Sequence, residues 1–224
     1  MQDFEQIEEL AFERHGEAAI RAFQKEATAL TPKQLAKIPD DRWLAQATRS
    51  IFQSGFNWRV VDAKWDGFET AFEGFDLGRW IFSNDDDLSK LVSDTRIIRN
   101  GMKIKTVPEN ARFFGELANE AGSVGKFIGN WPLTDQVGLL DVLQKRGSRL
   151  GSMTGQYFLR FMGKDCYILS RDVTAALIRA GVVEKHPTTK KDKAATQNAF
   201  NEWSQQSGLG LSAVSTTLAR SIDG

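Results

Sequence analysis

The chain has 224 residues, enough for one large domain or two small ones, and its 41% hydrophobic residues, fifteen Phe and six Trp among them, supply a core without staples. A single cysteine, Cys166, excludes an internal disulfide. Two distant histidines, His15 and His186, offer no ligand set of zinc spacing, so neither a metal nor any other cofactor is expected. No apolar run approaches the roughly 18 residues that would cross a bilayer, and the opening MQDFEQIEEL is acidic where a secretory leader would be basic and then apolar; a cytoplasmic protein with no membrane partner is predicted.

A net charge of zero argues, taken alone, against a nucleic-acid partner. The average hides an asymmetry. Between Arg96 and Lys193 stand 17 Lys and Arg against 9 Asp and Glu, which leaves 12 against 20 elsewhere in the chain. One basic half that faces a polyanion is consistent with that split, and so is ordinary segregation of surface charge.

In chain order, residues 3–25 place Phe4, Ile7, Leu10, Ala11, Ala18, Ala19, Ile20 and Phe23 at the spacing of an amphipathic helix. Thr31 can cap a short helix that has Pro32 at its first position. A longer helix begins at Pro39-Asp40-Asp41 and runs through Trp43, Leu44, Ala47, Ile51 and Phe52 until Gly55 stops it. Residues 58–73 read as another helix, with Val60, Val61, Trp65, Phe68 and Phe72 on one side, and shorter helices fit 77–81, 85–92 and 103–121. The polar stretch 185–193, with Pro187, reads as a loop in which Lys190, Lys191 and Lys193 have no assigned role, and helices follow at 194–206 and 212–221. No segment shows the sustained alternation of a strand. The predicted class is all-α: one domain over residues 1–224, with a helical extension at about 1–38.

The most informative stretch is SIFQSGFNWRVVDAKWDGFETAFEGFD at 50–76, followed by DTRIIRNGMKIKTVPENARFF at 94–114. Gly55, Trp58, Ile97, Ile98, Arg99, Lys103, Ile104, Asn110, Ala111 and Arg112 stand there in the order of a known set of motifs, and the segment resembles the DNA-3-methyladenine glycosylase I family of base-excision repair enzymes. A second segment at 139–183, LLDVLQKRGSRLGSMTGQYFLRFMGKDCYILSRDVTAALIRAGVV, looks like the helix-hairpin-helix and following acidic residue of the wider DNA glycosylase superfamily. The resemblance implies a two-lobed helical glycosylase fold, with the lesion pocket in a cleft between a lobe that holds Trp58 and a lobe that holds the hairpin.

Within the resemblance, glycines 147, 151 and 155 would let a tight turn bring backbone N–H groups to a phosphate, while Lys145, Arg146 and Arg149 add charge without reading sequence. Arg99 and Lys103 are the favoured members of a further basic cluster that also contains Arg96 and Lys105. Trp58, Tyr157 and Phe56 are the candidates to stack an everted base, with Gln53 and Ser50 beside them; as bare aromatics in so aromatic a chain they would be read as core. Asp172 stands near the place of the superfamily's catalytic aspartate. A strict count from Gly163 puts that place at Ser170, and an aspartate at a helix start is also an ordinary stabilising device. In catalysis such a carboxylate would stabilise positive charge on the sugar and orient the attacking water.

Three departures from the family bear on the chemistry. Ser50 stands where its members carry a glutamate that contacts the base, and the cysteine and histidine ligands of their zinc ion are missing. The second hairpin helix, residues 152–158, has no lysine for a Schiff base, which predicts a glycosylase without lyase activity. The expected function is hydrolytic removal of alkylated purines such as 3-methyladenine from double-stranded DNA. The rival readings are a DNA-binding module on the same fold that has lost catalysis, and a helical protein-interaction domain.

Overall fold

The computed structural model describes residues 1–27 and 29–222. Its α-helices are α1 (Phe4–His15), α2 (Glu17–Glu26), α3 (Pro32–Leu35), α4 (Asp40–Gln53), α5 (Trp58–Ala63), α6 (Trp65–Ala71), α7 (Leu77–Ile81), α8 (Asp85–Ser93), α9 (Gly101–Ile104), α10 (Thr106–Ala121), α11 (Val124–Asn130), α12 (Gln136–Arg146), α13 (Ser152–Phe161), α14 (Arg171–Arg179), α15 (Lys190–Ser207) and α16 (Leu211–Arg220). Short 3-10 turns lie at Glu73–Phe75 and Leu133–Asp135, and no strand forms among the described residues. The all-α class read from the sequence is the one the chain adopts.

Packing divides the helices between two units. The first comprises Met1–Leu30, Trp131–Leu139 and Gly163–Gly224; the second comprises Thr31–Asn130 and Leu140–Met162. The stretch read as an extension at about 1–38 is therefore shared: α1 and α2 pack with the C-terminal helices of the first unit, and α3 belongs to the second.

In the first unit, α16 contacts α1, α2, α14 and α15. Its own sequence explains the position, because small residues such as Ser212, Ala213 and Ser215 let neighbours approach while Val214 and Leu218 fill the centre. Gly210 precedes it and brings no capping side chain, so Asp165 caps the helix from a distance. Its carboxylate accepts from the N–H groups of Leu211 at 3.0 Å and Ser212 at 2.8 Å. The irregular segment 164–169 is held by side chains that address its backbone at both N–H and C=O. Ser212 serves Cys166, Ser215 serves Ile168, and Gln136 serves Tyr167, donating to its carbonyl and accepting from its N–H at 2.8 Å each. With no sheet to supply partners, these polar groups satisfy a buried extended backbone that leads into α14.

In the second unit, α10 packs against α4, α7 and α11, and α4 also touches α5 and α13. Trp43 and Phe114, both fully buried, each meet Phe158 of α13 with ring centroids 5.9 Å apart, which seats the second hairpin helix on α4 and α10.

Several predicted helices are shorter than the apolar pattern suggested. The helix expected over 3–25 breaks at Gly16, whose φ of 82° is open to glycine and costly for other residues. The helix expected over 58–73 breaks at Lys64 and again after α6, where Glu73, Gly74 and Phe75 all have positive φ. That turn folds Phe75 back onto Trp65, with the rings stacked at 5.6 Å, and Arg42 secures it by donating to the Gly74 carbonyl at 2.6 Å and to Glu69. Residues 103–121 divide into α9 and α10. The stretch 185–193 is a loop only to residue 189, where Thr189 accepts from the Asp192 N–H and caps α15. The capping expected at Thr31 is found, with Gln34 closing a reciprocal box.

Candidate nucleic-acid interface

The last turns of α4 carry the first group of residues. Ser50 is buried, and its hydroxyl accepts from Gln46 Nε2 at 3.2 Å; Gln53, also buried, donates through Nε2 to Asp62 Oδ1 at 3.0 Å. Gly55, at φ 68°, turns the chain out of the helix, and Asn57 starts α5 by accepting from the Arg59 N–H at 3.0 Å. The loop so formed exposes Phe56 and Trp58, at 48% and 40%. These values decide against reading either ring as an ordinary core aromatic.

Trp58 has company from α13. Its indole meets Tyr157 edge-on at 5.4 Å and Phe161 at 5.8 Å, and the latter two rings stack with centroids 5.8 Å apart. Phe161 is itself 47% exposed, so the three rings form a half-open apolar surface. Phe161, one turn beyond Tyr157 on the same helix face, is not among the residues singled out by sequence; the i, i+4 spacing of the two was the available signal.

Lys103 serves this loop from behind. Its ammonium donates to the carbonyls of Phe52 at 3.1 Å and Ser54 at 2.8 Å, closing the exposed C-terminal end of α4, and it lies 6.0 Å from the centre of the Phe56 ring. Burial lowers its pKa, and the positive charge of Arg149 lowers it further. Two hydrogen-bonded carbonyls make Lys103 a support for the loop before it is anything else. Arg99, in the same motif, is exposed and pairs with no group among the described residues.

The hairpin consists of α12, a turn at residues 147–151 and α13. Its glycines are required mainly by packing. A Cβ on Gly147 would stand 2.7 Å from the Leu143 carbonyl oxygen, and one on Gly155 would stand 2.3 Å from that of Leu150. Gly151 lies against Gln144 and gives α13 no side-chain cap, so the helix opens with N–H groups that its N-cap side chain does not satisfy. Asn110, which the motif contained without a role, clamps the turn: Nδ2 donates to the Ser148 carbonyl at 3.0 Å, and Oδ1 accepts from the Ser148 N–H at 2.8 Å. Arg149 follows, exposed, at φ 56°.

Two of the basic candidates are already engaged. Arg146 pairs with Glu116 at 3.1 Å and with Glu120, and lies over the Phe113 ring; Lys145 pairs with Asp141 at 3.4 Å one turn earlier. The hydrogen bond with Arg146 pulls the Glu120 pKa down. Of the candidates Arg99, Lys103, Lys145, Arg146 and Arg149, only Arg99 and Arg149 have no partner among the described residues and are left for an external anion.

Trp58 and the hairpin were expected on separate lobes, and this is corrected: α5 and α13 belong to the same unit, because both pack on α4. Asp172 belongs to the other unit. It occupies the first turn of α14, exposed, and the cap of that helix is Ser170, whose hydroxyl accepts from the Val173 N–H at 3.2 Å. Among the described residues no group of three or more His, Cys, Asp or Glu could hold a metal ion, and no helix is long and apolar enough to cross a membrane.

This helical architecture is shared with DNA glycosylases. A structure of 8-oxoguanine glycosylase/lyase from Methanocaldococcus jannaschii, in complex with a 15mer DNA containing 8-oxoguanine, is similar over 96% of this chain and 94% of that one, with 14% identity and a TM-score of 0.51. A crystal structure of 3-methyladenine DNA glycosylase I is similar over 61% of this chain and 82% of that one, with 22% identity and a TM-score of 0.50. At the level of sequence, residues 39–145, just under half of the chain, match the methyladenine glycosylase family. The family match covers the stretch in which the motifs stand, and the two solved structures share the helical fold. The matched stretch contains Ser50, Trp58, Arg99, Lys103 and Asn110 and stops at Lys145, ahead of α13 and Asp172.

Proposed function

We propose that this protein is a hydrolytic DNA glycosylase that removes alkylated purines, 3-methyladenine among them, from double-stranded DNA. The observation that carries the reading is the half-open surface of Trp58, Tyr157 and Phe161, at the end of the helix whose motif matches the methyladenine glycosylase family. A flat cationic purine turned out of the duplex gains most from such rings, through stacking and cation–π attraction. Arg99, Arg149 and the opening N–H groups of α13 would hold phosphates of the strand, while Asn110 and Lys103 keep the two loops in place.

Because an N3-alkylated adenine already carries positive charge, it leaves with little protonation, and one carboxylate near the sugar suffices to stabilise the developing cation and direct water. Asp172 is assigned that role. The reaction stops at the abasic site, since α13 contains no lysine and the neighbouring Lys164 is 4% exposed with its ammonium donating to the Trp131 carbonyl at 2.7 Å.

The test is release of free 3-methyladenine from methylated DNA, followed by chromatography, with strand breakage measured before and after hot alkali. Protein-dependent base release that falls in Asp172→Asn and Trp58→Ala, with breaks only after alkali, is the expected result. The solvent exposure of Asp172 favours a second reading, a DNA-binding module without catalysis; tight, salt-sensitive DNA binding with no base release would establish it and overturn the first.

A further inference from the structure

We infer that Asp62, together with Gln53, forms a recognition site for the positive, N–H-rich edge of an alkylated purine, an assignment that rests on the proposed function for its DNA context. Asp62 lies one turn after Trp58 on α5, so the two side chains emerge on the same side of the helix. Three donors converge on a single oxygen of its carboxylate: Arg49 Nε at 3.0 Å, Arg49 Nη2 at 2.7 Å and Gln53 Nε2 at 3.0 Å, all to Oδ1. The second oxygen, Oδ2, accepts from no group among the described residues, while the side chain keeps 44% of its surface exposed.

The geometry is that of a carboxylate held fixed with one face reserved. A bidentate guanidinium pair would normally engage both oxygens. Here the guanidinium bonds through two nitrogens to one of them, and it also lies 5.1 Å from the centre of the Trp65 ring.

Gln53 supplies an independent observation. It is 6% exposed, and with its Nε2 committed to Asp62 its Oε1 is buried without a donor among the described residues. A buried acceptor left unmatched is costly, and rotation of this amide toward an incoming N–H would satisfy it. Two acceptors beside an exposed indole select a ligand that is aromatic, donates hydrogen bonds and carries positive charge. An alkylated purine with an exocyclic amine has all three properties; a neutral purine lacks the last.

The test uses the full chain and does not require turnover. Quenching of tryptophan fluorescence by 7-methylguanosine, a cationic purine nucleoside, is compared with quenching by neutral guanosine for wild type, Asp62→Asn and Arg49→Gln. The wild type is expected to prefer the cation, Asp62→Asn to lose about tenfold of that preference, as expected for a charge-assisted hydrogen bond, and Arg49→Gln to keep or increase it by removing a neighbouring positive charge. An ion pair that only braces α5 on α4 predicts equal losses in both variants, and that result overturns the inference, as does a wild type that binds both nucleosides alike. Base release from methylated DNA is measured in parallel. Its absence in a wild type that still prefers the cation through Asp62 would defeat the glycosylase reading and leave this site standing; normal release by Asp62→Asn with unchanged cation preference would do the reverse.

Discussion

Asn110→Ala tests the link between the family motif and the hairpin. Asn110 is 1% exposed, and its amide makes both hydrogen bonds to the Ser148 backbone, at 3.0 and 2.8 Å. Each bond is worth about 0.5–1.5 kcal/mol net, and a donor or acceptor left unmatched in a half-buried place adds a part of its desolvation penalty, so the loss should be about 2–4 kcal/mol. For a chain of this length each kcal/mol lowers Tm by about 2–4 °C, which gives a fall of roughly 4–16 °C in thermal unfolding followed by circular dichroism. DNA affinity should fall as well, because the turn that presents Arg149 loses the side-chain clamp on its Ser148 backbone. Asn110→Asp keeps the acceptor for the Ser148 N–H and regains the donor only when protonated, so it should recover stability below about pH 4. A stability change under about 0.5 kcal/mol in Asn110→Ala would refute the clamp.

Other outcomes follow from the same geometry. Gly155→Ala places a Cβ 2.3 Å from the Leu150 carbonyl oxygen, and should cost about 1–3 kcal/mol in urea unfolding. The Asp87 carboxyl is held down to about 2, chiefly by its hydrogen bonds with Arg79 and then by the Asn84 N–H. Its folded pKa lies below the unfolded value of 3.8, so its contribution is complete above pH 3.8 and is lost as the pH falls toward 2; Asp87→Asn should flatten that part of an acid-unfolding curve. Arg99→Ala and Arg149→Ala should each reduce the salt slope of DNA binding by about one unit, whereas Arg146→Ala, whose partners are Glu116 and Glu120, should leave the slope unchanged and lower stability. Trp58→Ala should weaken lesion selectivity more than general DNA affinity, measured with lesion-containing and undamaged duplexes.

Arg146 and Arg99 show where reading residues by type reaches its limit. Both are arginines in glycosylase-like segments, and nothing local distinguishes them; Glu116 and Glu120, some thirty positions earlier, take one out of play and leave the other. Gly147 and Gly155 were read as openings for a phosphate, and their neighbours Leu143 and Leu150 show a demand for close packing as well.

The sequence by itself determined what depends on short-range order: the helical class, the start of α3 at Thr31, the exit from α4 near Gly55, and the order in which Trp58, Arg99, Lys103 and Asn110 stand. Periodicity and capping are local properties, so they survive without knowledge of the neighbours. Tertiary structure alone decided which aromatic rings stay open, which cations are spent on carbonyls and carboxylates, that Trp58 shares a unit with the hairpin while Asp172 does not, and that Asp62 keeps one oxygen unbonded among the described residues. Each of these depends on partners distant in the chain, and burial and charge pairing are fixed only when the fold brings those partners into contact.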